Sequence, residues 1–170
     1  KPDTYRKFEA FQDHEHFIGR VVFPIRDISG KIVAFNARHM TGGTPKYLIN
    51  PPGARMPLYP SKVVPIQGSV ILVEGIYDMI NLHDKGLTNA VCCFGTRNIN
   101  EDKLSIFRLQ GVEHAVVFFD GDEAGQKAAA NVKQMCENVD LMTRNINIPD
   151  NDPGGLSENQ VQKLKQKLYS

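Results

Sequence analysis

Ser69-Val70-Ile71-Leu72-Val73-Glu74-Gly75-Ile76-Tyr77-Asp78 opens on a short apolar run and closes on two acids. His114-Ala115-Val116-Val117-Phe118-Phe119-Asp120-Gly121-Asp122 repeats that form further along the chain. Apolar runs this short are poor core helices and read as buried strands. Between them, Asp78–Lys85 offers Met79, Ile80 and Leu82 as a helical face, and Ala90–Phe94 reads as a second strand. Glu101–Leu109 reads as a second helix with Asn100 as its N-cap. Beyond the second acidic run come an Ala-rich helix, Glu123–Glu137, and a fourth strand, Leu141–Ile148. A closing helix, Ser157–Leu168, begins with Ser157 and carries Gln160 where a capping box needs it. Strands alternating with helices predict an α/β fold: an open, mainly parallel sheet with helices on both faces.

Ligands of such sheets bind in the crevice beyond the carboxyl ends of the strands. The acids fall there. Glu74 ends the first strand, and Asp78 lies one helical turn on. Asp120 and Asp122 end the third, and Asp150 and Asp152 follow the fourth. A single acid at a strand end is ordinarily a helix cap or a solvated loop. Three strand ends bringing carboxylates to one edge would repel one another unless cations lay between them, and hard oxygen donors favour Mg²⁺ or Mn²⁺.

Upstream, Arg20–Arg26 and Lys31–Arg38 flank Asp27-Ile28-Ser29-Gly30 and predict a β-hairpin, with Pro24 at an edge or bulge. Residues 41–62 read as loops with a short strand near Tyr47-Leu48, and residues 1–15 as a frayed helix or linker. Charge divides the chain in the same place. Residues 16–66 hold seven basic residues against the single acid Asp27, a net of +6, whereas residues 67–170 carry a net of −4. The expected organisation is a small basic β-rich subdomain, residues 1–66, before an acidic α/β subdomain, residues 67–170. That asymmetry is expected if the first attracts phosphates and the second holds cations, and equally of ordinary surface solvation.

The chain is 41% hydrophobic and 23% charged, which excludes the disordered and fibrous classes. Its longest apolar stretches fall far short of the roughly 20 residues of a membrane span. With no basic-then-apolar leader, the reading is cytoplasmic, and a start at Lys1 suggests a piece of a longer polypeptide. Cys92, Cys93 and Cys136 form no C-x-x-C pair, so buried free thiols are expected rather than zinc or disulfides. His14 and His16 are expected to face solvent.

Val73-Glu74-Gly75-x-x-Asp78, then Phe94-Gly95-Thr96, then Asp120-Gly121-Asp122-Glu123-Ala124-Gly125, together resemble a Toprim domain. Arg20-Val21-Val22-Phe23-Pro24-Ile25-Arg26-Asp27, Ala34-Phe35-Asn36-Ala37-Arg38, Thr44-Pro45-Lys46-Tyr47-Leu48-Ile49-Asn50-Pro51 and Leu58-Tyr59 resemble the lobe that precedes Toprim in DnaG-type bacterial and phage primases. The likeness covers about residues 17–155 and implies the catalytic core of a DNA primase, making short RNA primers on single-stranded DNA from ribonucleoside triphosphates. It implies Glu74, Asp120 and Asp122 as catalytic metal ligands, with Asp78 and Asp152 supporting or holding a further ion. Glu74 is equally open to the role of general base. Arg38, Lys46 and Arg55 would hold template or triphosphate, with Tyr47 packing under Lys46 or stacking a base and Asn50 beside them. A replicative helicase, fused or separate, is the implied partner.

Two departures stand out. The family's last acidic motif commonly reads Asp-Pro-Asp, and here it is Asp152-Pro153-Gly154. One extra residue precedes Asn50. The rival readings are a Toprim nuclease and a catalytically weak module that binds single-stranded DNA or a helicase.

Overall fold

The computed structural model describes residues 1–12 and 14–170, in two compact units, Lys1–Pro57 and Leu58–Ser170.

In the first unit, helix α1 (Pro2–Lys7) precedes strands β1 (Arg20–Arg26), β2 (Ile32–His39) and β3 (Tyr47–Asn50). The predicted hairpin forms: β1 and β2 pair antiparallel, β3 adds beyond β2, and Pro24 lies on the edge strand β1, where its missing N–H costs little. Phe17, Val22 and Ala37 form a small core with Phe11 and Phe35 packed on it. His14 and His16 are exposed.

The second unit runs β4 (Ser69–Val73), α2 (Ile76–Asp84), β5 (Ala90–Cys92), α3 (Glu101–Leu109), β6 (His114–Val117), α4 (Glu123–Asn138), β7 (Met142–Asn145) and α5 (Glu158–Tyr169). All four strands are parallel, in the order β5-β4-β6-β7. Every predicted element is present; β4 keeps its predicted bounds, and β5, β6 and β7 are shorter than predicted. Phe94 takes a left-handed φ of 53° just past β5, and β7 shrinks to four residues at the sheet's edge. Helix α2 starts earlier than expected, at Ile76, because the Asp78 carboxylate accepts the Gly75 N–H at 3.0 Å and so closes the first turn.

Strand β4 is buried along its whole length, which is why its text after Ser69 is unbroken Val, Ile and Leu. On one side Val70, Leu72, Leu104, Phe107, Val117 and Val132 belong to a single core under α3 and α4. Each large side chain so buried contributes about 1.5–3 kcal/mol. On the other side α2 and α5 are tied together by Asn81 Nδ2 donating to the Leu156 carbonyl at 3.1 Å and Gln162 Nε2 to the Lys85 carbonyl at 2.8 Å. Tyr59 exchanges both backbone hydrogen bonds with Cys92, so the chain from Leu58 packs with this unit, whereas the charge-based division falls after residue 66.

The chain leaves β4 towards β5, then crosses back to place β6 on β4's other side. That reversal makes the gap between the carboxyl ends of β4 and β6 the topological switch point, where open α/β sheets bind ligands.

Candidate functional site

Glu74 and Asp120 stand on either side of that switch point. Glu74 directly follows β4, and its Oε1 accepts the backbone N–H of Asp120 at 3.1 Å. Asp122 caps α4, its Oδ1 accepting the Gly125 N–H at 2.7 Å. Asp152 caps the short turn after β7, accepting the Gly155 N–H at 2.7 Å. Each exposed acid thus has a capping role of the ordinary kind. The charges nevertheless feel one another. Half-burial pushes the Glu74 carboxyl above its usual range; the Asp120 N–H opposes this, and the negative charges of Asp120 and Asp122 add to it. Asp78 is pushed up to about 6, chiefly by burial, with repulsion from Asp120 and Asp152 adding to it and the Gly75 and Gly154 N–H groups opposing it. Repulsion thus links the five predicted carboxylates pairwise, Glu74 with Asp120 and Asp122, and Asp78 with Asp120 and Asp152.

The backbone around them admits few residue types. A Cβ on Gly121 would lie 2.2 Å from the Ile148 carbonyl oxygen, so only glycine fits between Asp120 and Asp122 while the segment after β7 crosses there. Gln126 Nε2 donates to the Asp120 carbonyl at 3.1 Å and fixes that strand end to α4.

Asp78 differs from the reading of it as an accessory ligand in one respect: each of its oxygens already accepts a backbone N–H, Oδ2 from Gly75 and Oδ1 from Gly154 at 2.9 Å. Gly154 is the residue standing where the second acid of Asp-Pro-Asp was expected. A Cβ there would come within 2.7 Å of Asp78 Oδ1. Position 154 thus serves this chain as a donor to Asp78.

Oxygen donors on three strand ends suit a hard divalent cation. Among the described residues no group of three or more His, Cys, Asp or Glu forms a ready-made cage. Mg²⁺ does not require such a cage, since it keeps several waters and is commonly held by one or two carboxylates plus substrate phosphates. The three thiols suit no metal, being buried and pushed well above their usual pKa, Cys136 to about 12.

In the first unit, Arg38 and Tyr47 are direct cross-strand partners, and the guanidinium centre lies 4.6 Å from the Tyr47 ring centroid. Lys46 Nζ is 5.8 Å from the same ring. Tyr47 is 37% exposed, so one aromatic plate gathers two cations at a surface. Asn50 pairs with Phe35, three positions from Tyr47 along β3, so strand alternation places it on the opposite face. Arg55 is exposed in the loop beyond β3. Sequence reasoning missed Arg20, which is 5% exposed. Its guanidinium donates to the carbonyls of Ala37 at 3.3 Å and Pro45 at 2.7 Å, holding the segment that leads into Lys46-Tyr47. The available signal was an arginine at the head of a strand whose next five residues are apolar.

Comparison with known proteins agrees with this geometry. The Toprim-like family profile matches residues 71–166, and that of the DNA primase catalytic core, N-terminal domain, matches residues 4–56. A DNA primase of Pseudomonas aeruginosa is 36% identical over 139 residues, 75% of this chain and 19% of its own length. The chain thus spans about a fifth of the curated relatives it matches. Among solved structures, a DNA primase domain from Pseudomonas aeruginosa is similar at 27% identity and a TM-score of 0.63, over 86% of this chain and 51% of that one. The DnaG primase catalytic domain bound to single-stranded DNA shares the fold at a TM-score of 0.74 and 22% identity, over 98% of this chain and 61% of that one. By sequence and fold alike, this chain belongs to the Toprim-like family, joined as in DnaG-type primases to the N-terminal domain of the primase catalytic core.

Proposed function

We propose that the chain is the catalytic core of a DNA primase, joining ribonucleotides into short RNA primers on a single-stranded DNA template. The observation that carries this reading is the Glu74–Asp120 pairing across the switch point, in a chain whose first unit matches the primase core. Bound Mg²⁺ or Mn²⁺ would lower the pKa of the attacking 3′-hydroxyl and neutralise the triphosphate and the leaving pyrophosphate. Glu74, Asp120 and Asp122 hold these ions. Asp152 supports them, and Asp78, through Gly154, fixes the turn that Asp152 caps. Positioning and charge neutralisation dominate such a transfer, so no covalent nucleophile is needed. Arg38, Lys46 and Arg55 hold template or triphosphate phosphates, Tyr47 offers its ring to a base, and Asn50 contacts the strand from the other face of β3. The substrates are ribonucleoside triphosphates and the nascent RNA primer, with a replicative helicase as partner in the cytoplasm of a bacterial or phage-infected cell.

The test supplies single-stranded DNA, labelled ribonucleotides and Mg²⁺ or Mn²⁺ to the wild type and to Asp120→Ala, with and without the flanking segments of the parent protein. Short RNA products lost in the variant support the reading. Nicked DNA, or binding without synthesis even with the flanks present, overturns it.

A further inference from the structure

In the second unit a cavity of about 200 Å³ opens between edge strand β7 and helix α5. Arg144 and Asn145 on β7, Asn147 just beyond it and Lys167 on α5 form its polar walls, with Ile146 and Leu164 among its apolar ones. No acid lines it. Among the described residues, neither the Arg144 nor the Lys167 side chain makes a hydrogen bond or an ion pair, although other surface cations do, such as Arg26 with Glu9 at 2.8 Å. Two unpaired cations facing one recess repel each other, and an anion between them removes that cost.

The backbone supplies a third donor. Val117 is the parallel partner of Asn145, and the Ile146 N–H bonds the Val117 carbonyl at 2.9 Å. In a parallel ladder the residue between the bonded neighbours directs its own N–H away from the sheet. The Asn145 N–H therefore points out from the edge. The Asn145 side chain is held in turn by Gln126, its Nδ2 donating to Gln126 Oε1 at 3.0 Å.

We propose that this cavity binds a phosphate group. A guanidinium fork, an ammonium, an outward backbone N–H and a side-chain amide match the several acceptor oxygens of phosphate, and the cavity's size suits one phosphate or a short phosphate chain. No carboxylate lines the site and it needs no divalent metal, so its test is independent of the primase reading.

Inorganic pyrophosphate is titrated into the 170-residue chain in EDTA, following the Asn145 backbone and Asn147 side-chain amide signals by NMR. A parallel titration uses a short oligothymidylate. Saturating shifts at these amides with an apparent Kd of about 1 mM or tighter are expected, weakened at least about tenfold in Arg144→Gln/Lys167→Gln. Arg144→Lys, which keeps the charge and loses the fork, should weaken binding by a smaller factor. Saturation by pyrophosphate alone identifies a free phosphate ligand, and saturation by oligothymidylate alone a nucleic-acid backbone. No saturation in either titration, or equal binding by the double variant, overturns the proposal.

Discussion

The Glu74 carboxylate and the Asp120 backbone are joined by a hydrogen bond of 3.1 Å that spans the carboxyl ends of two adjacent parallel strands. It holds one acid beside the next at the point where the sheet reverses its winding, and this proximity to Asp120 and Asp122 helps raise the Glu74 pKa. Glu74→Gln keeps an acceptor for the Asp120 N–H and removes the half-buried charge. Its melting temperature in EDTA should equal or exceed that of the wild type. Ribonucleotide incorporation should fall about a hundredfold or more, as when an electrostatic stabiliser is removed. A variant that melts lower in EDTA would show that the charge, rather than the acceptor, holds the strand ends together.

Asp78 gives a pH signature. Its carboxyl is pushed up to about 6, mainly by burial, so the folded chain keeps this proton at a pH where the unfolded chain has lost it. The sign follows from linkage: the cost of ionising Asp78 is fully present above about pH 6 and is relieved as pH falls towards aspartate's ordinary pKa. In EDTA the stability of the wild type relative to Asp78→Asn should rise by about 1.4 kcal/mol per pH unit below about pH 6. Urea unfolding of both proteins across that range checks it. A difference independent of pH contradicts the assignment.

Gly154→Asp recreates the acid expected from related primases, yet it should not repair the site. The new Cβ would meet Asp78 Oδ1 at 2.7 Å, beside a carboxylate that already feels Asp120 and Asp152. A loss of about 1–3 kcal/mol is expected, as for overpacking elsewhere. Equal or greater stability together with tighter Mn²⁺ binding would mean that position 154 is an emptied ligand site.

The Tyr47 plate with its two cations predicts a salt effect. Arg38→Ala and Lys46→Ala should each reduce the salt slope of single-stranded DNA binding by about 0.7, the value for one phosphate contact. Tyr47→Phe should leave affinity nearly unchanged, and Tyr47→Ala should lower it by about 1–3 kcal/mol if the ring stacks a base. Unchanged slopes in both charge variants would remove the first unit's cations from the interface.

Local rules made most of the fold legible. The apolar run Val70–Val73 of β4 fits a strand buried on both faces, and the caps act as read: Asn100 accepts the Lys103 N–H at 2.9 Å, and Ser157 and Gln160 bond reciprocally. The acids stood out as candidates because they follow apolar strand runs, and Glu74, directly after β4, does meet the Asp120 backbone. What depends on distant parts of the chain was not. The bond from Gly154 to Asp78 joins α2 to a turn beyond β7, and no local spacing encodes it. The face occupied by Asn50 depends on register, where a slip of one residue reverses the side chain. The burial of Arg20 depends on a loop folding back so that the Pro45 carbonyl receives its guanidinium. The cavity beside β7 needed the placement of α5.

Mn²⁺ binding, followed by electron paramagnetic resonance in the wild type, Asp120→Asn and Arg55→Gln, tests most directly whether the switch-point carboxylates hold the catalytic cation. The wild type and Arg55→Gln should titrate alike, with affinity reduced at least about tenfold in Asp120→Asn. Equal Mn²⁺ binding by all three proteins would contradict a metal centre between β4 and β6.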